Sequence, residues 1–210
     1  MTLLGALDLA GVAVFAATGA LAASRKQLDI IGFLFLASLT GIGGGTLRDV
    51  IIGATPIFWA HDSLPLAVCA LTAIILYFAA PLFEYRYRLL LWLDAAGLAA
   101  YCVIGAQKGL EAGVSPLAAI VTGMVTATAG GMLRDLVSGE PSVLLRREIY
   151  ITAALAGAGV FVLMSRFAVE PAVSAACAVL FAFAIRGGAL LFGWTLPGYR
   201  HRPGRPAGDF

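Results

Sequence analysis

Residues 40–53 read TGIGGGTLRDVIIG, and residues 126–139 read TATAGGMLRDLVSG. Both segments contain two adjacent glycines, two further residues and then an Arg-Asp pair, and both lie within long apolar runs. Charged residues in such surroundings need partners or water, because an unpaired buried charge is costly. The doubled GG-x-x-RD pattern therefore constrains the fold more than any other part of the chain.

The pattern belongs to a longer internal duplication. LDLAGVAVFAATGA at 7–20 matches LDAAGLAAYCVIGA at 93–106, with the same offset of 86 residues. From residue 7 to residue 53, 47 positions align with 93–139 without a gap, and 14 of them are identical. Blocks that coincide both in sequence and in position indicate a duplication rather than chance.

The composition is that of a membrane protein. The 210 residues are 60% hydrophobic and 12% charged, whereas soluble domains carry about 25% charged residues. A helix needs about 20 mostly apolar residues to cross the hydrocarbon core of a bilayer. The sequence predicts seven such spans, at residues 3–23, 29–52, 63–83, 89–107, 115–137, 149–168 and 173–193.

Each copy of the duplication holds three spans, with repeat one at about 3–83 and repeat two at about 89–168. An odd number of spans turns the second copy over, so the repeats are inverted about an axis in the membrane plane. The predicted fold is an all-α membrane protein with a single transmembrane domain at 1–196, in which a seventh helix at 173–193 follows the repeats. Residues 197–210, rich in Gly, Pro and Arg, are predicted to be a disordered cytoplasmic tail.

Basic residues outside the spans predict the orientation, because cytoplasmic loops carry an excess of Lys and Arg. One side has only Lys108 and Arg166. The other side has nine basic residues: Arg25, Lys26, Arg86, Arg88, Arg146, Arg147, Arg200, Arg202 and Arg205. We therefore expect a multi-pass protein of the inner (plasma) membrane, with its N-terminus outside and its C-terminus in the cytoplasm.

The glycines of the second and fifth spans allow two interpretations. Gly43, Gly44 and Gly45 in the second span, and Gly130 and Gly131 in the fifth, lower helix stability and favour a kink or a locally unwound turn. Carbonyl groups freed in this way are suitable ligands for an alkali cation. The alternative is close packing of helices through small residues. The recurrence of the glycines beside charges in both repeats favours the functional kink.

Charges within the spans predict two symmetry-related ion pairs. An intramembrane charge costs at least ~2.5 kcal/mol on insertion scales, so it usually faces a partner or a wet cavity. Asp8 and Arg48 lie at about the same depth from the outer ends of their spans, at about 1.5 Å per residue. Asp94 and Arg134 have the same relation near the cytoplasmic side. We therefore predict the pairs Asp8–Arg48 and Asp94–Arg134; the alternative is that these charges are only static staples between helices.

The remaining polar residues are less informative. Asp49 and Asp135 are expected to bond backbone groups or to face a pathway. Arg186, in the last span, needs a partner or must snorkel to the cytoplasmic surface, and we expect it to snorkel. Lys108 is predicted to be a solvated loop charge. Most hydroxyl groups within the spans are expected to bond back to their own helix.

The parts of an enzyme site are missing from the sequence. It has no GxSxG, HExxH or P-loop motif, and its two histidines, His61 and His201, fall in a loop and in the tail. The three cysteines lack metal-ligand spacing. We expect no catalytic residue, no metal site, no cofactor and no nucleic-acid partner.

The GGGTLRDVIIG and AGGMLRDLVSG blocks, with LDLAGVAVFAATGA and LDAAGLAAYCVIGA, resemble the prokaryotic trimeric intracellular cation (TRIC) channel family over about residues 4–195. Sequences of this kind also carry the name of a glycine-transporter domain. The resemblance implies a homotrimer surrounded by membrane lipids, with a pathway for monovalent cations, chiefly potassium, inside each protomer. It also implies that the second and fifth spans kink at their glycines and line that pathway. The residues that match the family motif are Gly43, Gly44, Gly45, Arg48, Asp49, Gly130, Gly131, Arg134 and Asp135, with Asp8 and Asp94 as supporting charges.

The residues alone leave channel and carrier open. An inverted repeat with broken helices suits a secondary transporter for a small substrate such as glycine equally well. A third class, a structural or assembly protein without a pathway, is disfavoured by the intramembrane charges.

Overall fold

The computed structural model describes residues 3–82, 86–142 and 149–197, and helices dominate these ranges. The helices are α1 (Leu3–Arg25), α2 (Ile30–Ile52), α3 (Phe58–His61), α4 (Leu64–Ala79, followed by a 3₁₀ turn at Ala80–Leu82), α5 (Arg86–Glu111), α6 (Pro116–Ser138), α7 (Ile151–Arg166) and α8 (Pro171–Phe192).

The long helices have the dimensions of membrane spans. Six helices of the described chain are long and apolar enough to cross a bilayer: α1, α2, α4 with its 3₁₀ turn, α5, α6 and α8. Helix α7, the sixth predicted span, is apolar and has 16 residues. Large apolar side chains such as Phe78 and Leu136 are about three-quarters exposed, at 73% and 75%. This outward apolar surface is typical of contact with lipid, and the structure confirms the predicted all-α membrane fold.

Two elements differ from the predicted spans. Helix α5 extends beyond the predicted 89–107 at both ends, and its last turn contains a hydrogen bond of 2.8 Å from Gln107 Nε2 to Glu111 Oε1. Side chains four residues apart face each other on a helix, so this pair supports the extra turn. As a result Lys108 lies on a helix and not in a loop. The short helix α3 was not predicted at all.

The two repeats begin and end their central helices in the same way. Asp29 caps the start of α2 by accepting a hydrogen bond from the backbone of Gly32, and Ser115, 86 residues later, caps α6. The helices end at Gly53 and Gly139, which have φ angles of 69° and 64°. Glycine is favoured at these positions because other residues rarely adopt the left-handed conformation.

Four helices form the centre of the molecule. Helix α1 packs against α2 and α5, and α6 packs against α5 and α2. Helix α4 covers α1 and α2, α7 covers α5 and α6, and α8 is added against α5 and α7. Repeat one is therefore α1, α2 and α4, and repeat two is α5, α6 and α7.

One end of this bundle gathers basic residues. Arg25 is the last residue of α1, Lys26 follows it, and Glu140 lies just after α6. Arg25 Nη2 and Lys26 Nζ lie 3.5 Å and 3.2 Å from Glu140 Oε1. The loops after α1 and α6 thus meet at the same end, as the distribution of basic residues predicts. The other basic residues of that prediction in the loop 143–148 and in the tail, Arg146, Arg147, Arg200, Arg202 and Arg205, lie outside the described residues.

Helices α2 and α6 cross in direct backbone contact. A Cβ atom on Gly44 would lie 2.2 Å from the carbonyl oxygen of Thr126, and one on Gly130 would lie 2.4 Å from that of Thr40. Gly44 and Gly130 occupy equivalent positions of the repeats, as do Thr40 and Thr126. Gly44 meets Thr126, and Thr40 meets Gly130, so the residue numbers rise along α2 as they fall along α6. The two helices are therefore antiparallel, as an inverted repeat requires.

A second reciprocal contact joins α1 and α5. The Phe15 and Tyr101 rings, at equivalent positions, meet edge to face with their centroids 5.3 Å apart. Each ring lies over a glycine of the other repeat: a Cβ atom on Gly11 would overlap the Tyr101 ring, and one on Gly97 would lie 3.0 Å from the Phe15 ring. The pseudo-two-fold axis therefore passes through a tightly packed centre.

Replacing Gly44 by alanine is expected to destabilise the protein by about 1–3 kcal/mol, because the added methyl group must push a backbone carbonyl away. Gly159→Ala is the matched control, since nothing lies within 4 Å of a Cβ atom there; it should be neutral or slightly stabilising. Thermal unfolding in detergent measures both. Equal stability of Gly44→Ala and Gly159→Ala would contradict the close crossing.

Candidate functional site

A fully buried charge cluster lies near the end of the bundle that carries Arg25 and Glu140. We call Asp94, Arg134 and Asp135 the Arg134 cluster. Arg134 Nη1 donates to Asp94 Oδ1 at 2.9 Å, while its Nε and Nη2 donate to Asp135 Oδ1 at 3.0 Å and 2.9 Å. The side chains of Arg134 and Asp94 are each 2% exposed. The predicted pair Asp94–Arg134 is present, and its formal charge together with Asp135 is −1.

The equivalent residues of repeat one are arranged differently. We call Asp8, Arg48, Asp49 and Lys108 the Arg48 cluster. Arg48 Nε donates to Asp49 Oδ1 at 2.8 Å, but Asp8 Oδ2 lies 2.7 Å from Lys108 Nζ. The prediction of an Asp8–Arg48 pair is therefore wrong. The extension of α5 brings Lys108 to Asp8, whereas Lys108 was predicted to be a solvated loop charge.

The partners of Asp49 show how α3 is held. Asp49 Oδ2 accepts a hydrogen bond of 2.8 Å from the backbone N–H of Phe58, as expected for a carboxylate bonded to backbone. The indole Nε1 of Trp59 donates to Thr46 Oγ1 at 2.8 Å. Helix α3 is thus fixed to α2 by two side chains one turn apart, although it has only four residues.

The ring of Phe58 contacts both cations of the Arg48 cluster. Its centroid is 5.2 Å from Arg48 Cζ and 5.7 Å from Lys108 Nζ, both within the range of cation–π attraction. Gly45 makes room for the ring, because a Cβ atom there would lie 2.6 Å from it. This glycine is therefore needed for packing against an aromatic side chain.

The glycines do not interrupt their helices. Helix α2 is continuous through Gly43, Gly44 and Gly45, and α6 is continuous through Gly130 and Gly131. No unwound turn is therefore present at these glycines, and the alternative of close packing accounts for the backbone crossing. The kink stays a prediction. Helical hydrogen bonding survives because the faces left open by the glycines are filled by other groups of the protein.

Two of these glycines have neighbours of their own. A Cβ atom on Gly43 would lie 2.9 Å from a methyl group of Leu133. One on Gly131 would lie 2.9 Å from the Tyr150 hydroxyl and 3.1 Å from Asp94 Oδ1. Gly131 therefore allows Asp94 and Tyr150 to reach the backbone beside Arg134.

Arg186 does not snorkel. It is 1% exposed, its Nη1 donates to the carbonyl of Ile149 at 3.3 Å, and its Cζ lies 5.0 Å from the centre of the Tyr150 ring. The prediction failed because the segment that begins α7 packs over α8 and supplies a carbonyl and an aromatic ring inside the protein.

Cavities adjoin both clusters. One of about 360 Å³ lies at the Arg48 end and is lined by Asp8, Phe58, Asp62, Leu64 and Pro65, among others. One of about 20 Å³ lies at the opposite end, and its lining includes Arg134, Asp135, Arg25, Ser138 and Glu140. Of these two cavities, the one at the Arg48 end is the larger. Across the described ranges, no three His, Cys, Asp or Glu side chains group as metal ligands.

Comparison with known proteins agrees with this architecture. A family described as "Glycine transporter" matches the chain twice, at residues 5–81 and 91–166. The structure of a TRIC trimeric intracellular cation channel orthologue from Rhodobacter sphaeroides has 45% sequence identity and a TM-score of 0.90, covering 92% of this chain and 100% of that one. This chain belongs to the TRIC family.

Further relatives of this chain are known by sequence. A UPF0126 membrane protein of Vibrio cholerae is 42% identical over 168 residues, which cover 76% of this chain and 67% of that protein. The UPF0126 inner membrane protein YadS of Escherichia coli is 39% identical over 155 residues, covering 72% of this chain and 73% of that one.

Sequence reasoning missed Lys108 and Phe58 as parts of the site. A signal for Lys108 was available, since Gln107 and Glu111 continue the helical pattern past the predicted end of the span and place Lys108 on α5. No comparable signal marked Phe58, because its position depends on the hydrogen bond from its backbone to Asp49.

Removal of the two equivalent arginines should have unequal effects on stability. Arg134→Met leaves Asp94 and Asp135 buried without a counter-charge, and loss of one partner of a buried pair costs about 3–5 kcal/mol. Arg48→Met leaves Asp49 with its backbone hydrogen bond and Asp8 with Lys108, so the loss is smaller. Thermal unfolding in detergent compares the two; a loss for Arg48→Met equal to or larger than that for Arg134→Met contradicts the described asymmetry.

Proposed function

We propose that this protein is a channel for monovalent cations, with potassium as the permeant ion, and that the ion pathway lies within each protomer. The observation that carries the proposal is the pair of Asp-Arg-Asp sets, Asp8–Arg48–Asp49 and Asp94–Arg134–Asp135, placed at equivalent positions near the two ends of one inverted-repeat core. The name of the Rhodobacter sphaeroides relative, a trimeric intracellular cation channel, supports the same reading.

The charge of these sets favours cations. Each has two carboxylates and one guanidinium group, and therefore a formal charge of −1. Acidic groups in a narrow path raise the local concentration of cations. An arginine beside them weakens the binding of a cation at that site. Conduction needs binding that is strong enough for entry and weak enough for release, and a set with a net charge of −1 meets both needs.

We place the pathway between α2 and α6, with α1 and α5 completing its wall. The residues proposed to line or gate it are Gly43, Gly44, Gly45, Arg48, Asp49, Gly130, Gly131, Arg134 and Asp135. The two helices are proposed to bend at these glycines without losing their hydrogen bonds. A bend would separate the backbones of Gly44 and Gly130 and open the tightly packed centre.

The proposed assembly is a homotrimer in the inner membrane, with the end that carries Arg25 and Lys26 in the cytoplasm. The described basic residues at that end support this orientation, because positive loops remain on the cytoplasmic side. We propose transport and not enzymatic catalysis, because paired charges of this kind form ion paths in membrane proteins.

A secondary transporter for glycine is the second candidate. The description of the matching family, "Glycine transporter", favours it, and inverted repeats are common among carriers. A carrier exposes its site to one side at a time, and the unequal cavities at the two ends are compatible with that cycle.

Recording of purified protein in planar bilayers under asymmetric KCl tests the proposal. Discrete unitary currents are expected, with a reversal potential displaced toward the potassium equilibrium potential. Asp135→Asn should lower the unitary potassium conductance about two-fold, because it removes one negative charge about 8 Å from an ion in a hydrated path. Asp135→Glu retains the charge and should conduct like the wild type.

The matched control is Asp29→Asn, which removes a carboxylate from an exposed helix cap, where asparagine caps equally well. It should leave the conductance unchanged. Silent bilayers together with saturable glycine uptake into liposomes would reject the channel and establish the carrier.

A further inference from the structure

Lys108 is the one charged member of the two clusters that the repeat does not duplicate. Asp8, Arg48 and Asp49 have the equivalents Asp94, Arg134 and Asp135, whereas the position equivalent to Lys108 is Ala22. Within the described residues, Lys108 therefore breaks the electrostatic symmetry of an otherwise matched pair of sites. The Arg134 cluster has a formal charge of −1, and the Arg48 cluster, which includes Lys108, has a formal charge of zero.

The lysine occupies the position that an arginine takes in repeat two. Asp94 binds Arg134, whereas the equivalent Asp8 binds Lys108 at 2.7 Å. Arg48 is fully buried, and its Nη1 and Nη2 have no hydrogen-bond partner among the described residues, nor does Asp8 Oδ1. Lys108 therefore binds the carboxylate of Asp8, although the buried Arg48 still has N–H donors without a partner in the described part of the chain.

The ammonium group of Lys108 contacts two residues of the cavity at the Arg48 end. Asp8 and Phe58, its two contacts, both line the cavity of about 360 Å³. The side chain of Lys108 is 34% exposed, against 2% for Arg134 in the opposite cluster. The Asp8 side chain is 16% exposed, so the pair is in partial contact with solvent. A flexible ammonium group can leave such a carboxylate, because an ion pair that solvent reaches contributes only about 0–1 kcal/mol.

We propose that Lys108 is a specificity-determining residue of the channel: its ammonium group acts as a tethered cation that occupies Asp8 and reduces cation entry from that end. This inference rests on the proposed channel function. A permeant potassium ion that enters from the Arg48 end passes Asp62 in the cavity lining and must then compete with Lys108 for Asp8. An ion that enters from the Arg134 end passes Arg25 and Glu140, and the cluster it meets there contains no tethered ammonium group. Removal of the Lys108 charge therefore changes the current that enters from the Arg48 end more than the current that enters from the other end.

Lys108→Met removes the charge and keeps an apolar side chain of similar reach. The unitary potassium current that enters from the Arg48 end should rise about two-fold, by the same estimate for one charge about 8 Å from the ion. Current entering from the opposite end should change less, so the rectification shifts. Lys108→Arg keeps the charge and should show wild-type rectification. If Lys108 acted only through helix packing, rectification would not follow the charge at this position.

Lys26→Met is the matched control. Lys26 is 37% exposed and forms a partly exposed pair with Glu140 at the opposite end, 3.2 Å away. Its removal changes the net charge of the protein by the same amount, but the current entering from the Arg48 end should remain at the wild-type level. If Lys108→Met and Lys26→Met affect that current equally, or if neither does in a conducting wild type, the proposal is wrong.

A second measurement is independent of conduction. Leu64 lines the same cavity and is 44% exposed; Leu64→Cys in a Cys177→Ala background gives an accessible thiol, since Cys69 and Cys102 are buried. The ratio of its modification rates by a cationic and an anionic methanethiosulfonate reagent reports the local potential. Lys108→Met should raise this ratio about four-fold, because the reagents respond in opposite senses to the lost charge. An unchanged ratio overturns the proposal even if the protein passes no current, whereas silent bilayers with a raised ratio reject only the channel function.

Discussion

The close crossing of α2 and α6 is the constraint on which the rest of the molecule depends. Backbone reaches backbone at Gly44 and Gly130, where even a methyl group would overlap a carbonyl oxygen. Each arginine follows its crossing glycine by four residues, which is about one helical turn or 6 Å along the axis. Because the helices are antiparallel, the same spacing sends Arg48 toward one end of the bundle and Arg134 toward the other. The GG-x-x-RD pattern is thus a single geometric unit, in which the glycines bring the helices together and the charges lie on either side of the contact.

The charges next to that crossing are stabilised by hydrogen bonds that differ between the repeats. Arg134 makes three bonds to two carboxylates, which is the arrangement that a buried guanidinium group needs if its desolvation is to be offset. Arg48 makes one such bond and lies against Phe58, whose ring offers a weaker attraction. Helix α3 therefore has two roles at the Arg48 end, since its first residue bonds Asp49 through the backbone and covers Arg48 with its ring. Identical motifs in the two repeats thus have different surroundings, because the segments outside the motif differ.

These differences explain what could and could not be predicted from the sequence. The spans, the inversion of the repeats and the pair Asp94–Arg134 follow from hydropathy, from a constant offset and from depth along a helix. The pair Asp8–Arg48 was wrong because depth says nothing about competing partners, and Lys108 came within reach only when α5 continued past its apolar run. Arg186 was misplaced for a related reason, as its partners belong to the segment that begins α7. The glycines were predicted to favour a kink or an unwound turn because glycine permits both, but no turn is unwound at them, and neighbouring atoms occupy the faces that the missing side chains leave open. In each case the error concerns tertiary neighbours, which local pattern does not encode.

An inverted repeat gives a membrane protein two equivalent ends, and a transport protein has to make them different if the two sides of the membrane are to be treated differently. In this chain the shared Asp-Arg-Asp sets supply the equivalence, and unduplicated residues supply the difference. Lys108 stands where the other repeat has Ala22, and it lies beside the larger cavity, at the end away from Arg25 and Lys26. A single lysine can shift the balance because the underlying sets carry only one net charge each. Had the sets been neutral, the lysine would repel cations outright, and had they been more acidic, it would have little effect. The two sets are therefore matched in formal charge, at −1 each, and one additional side chain is enough to distinguish them.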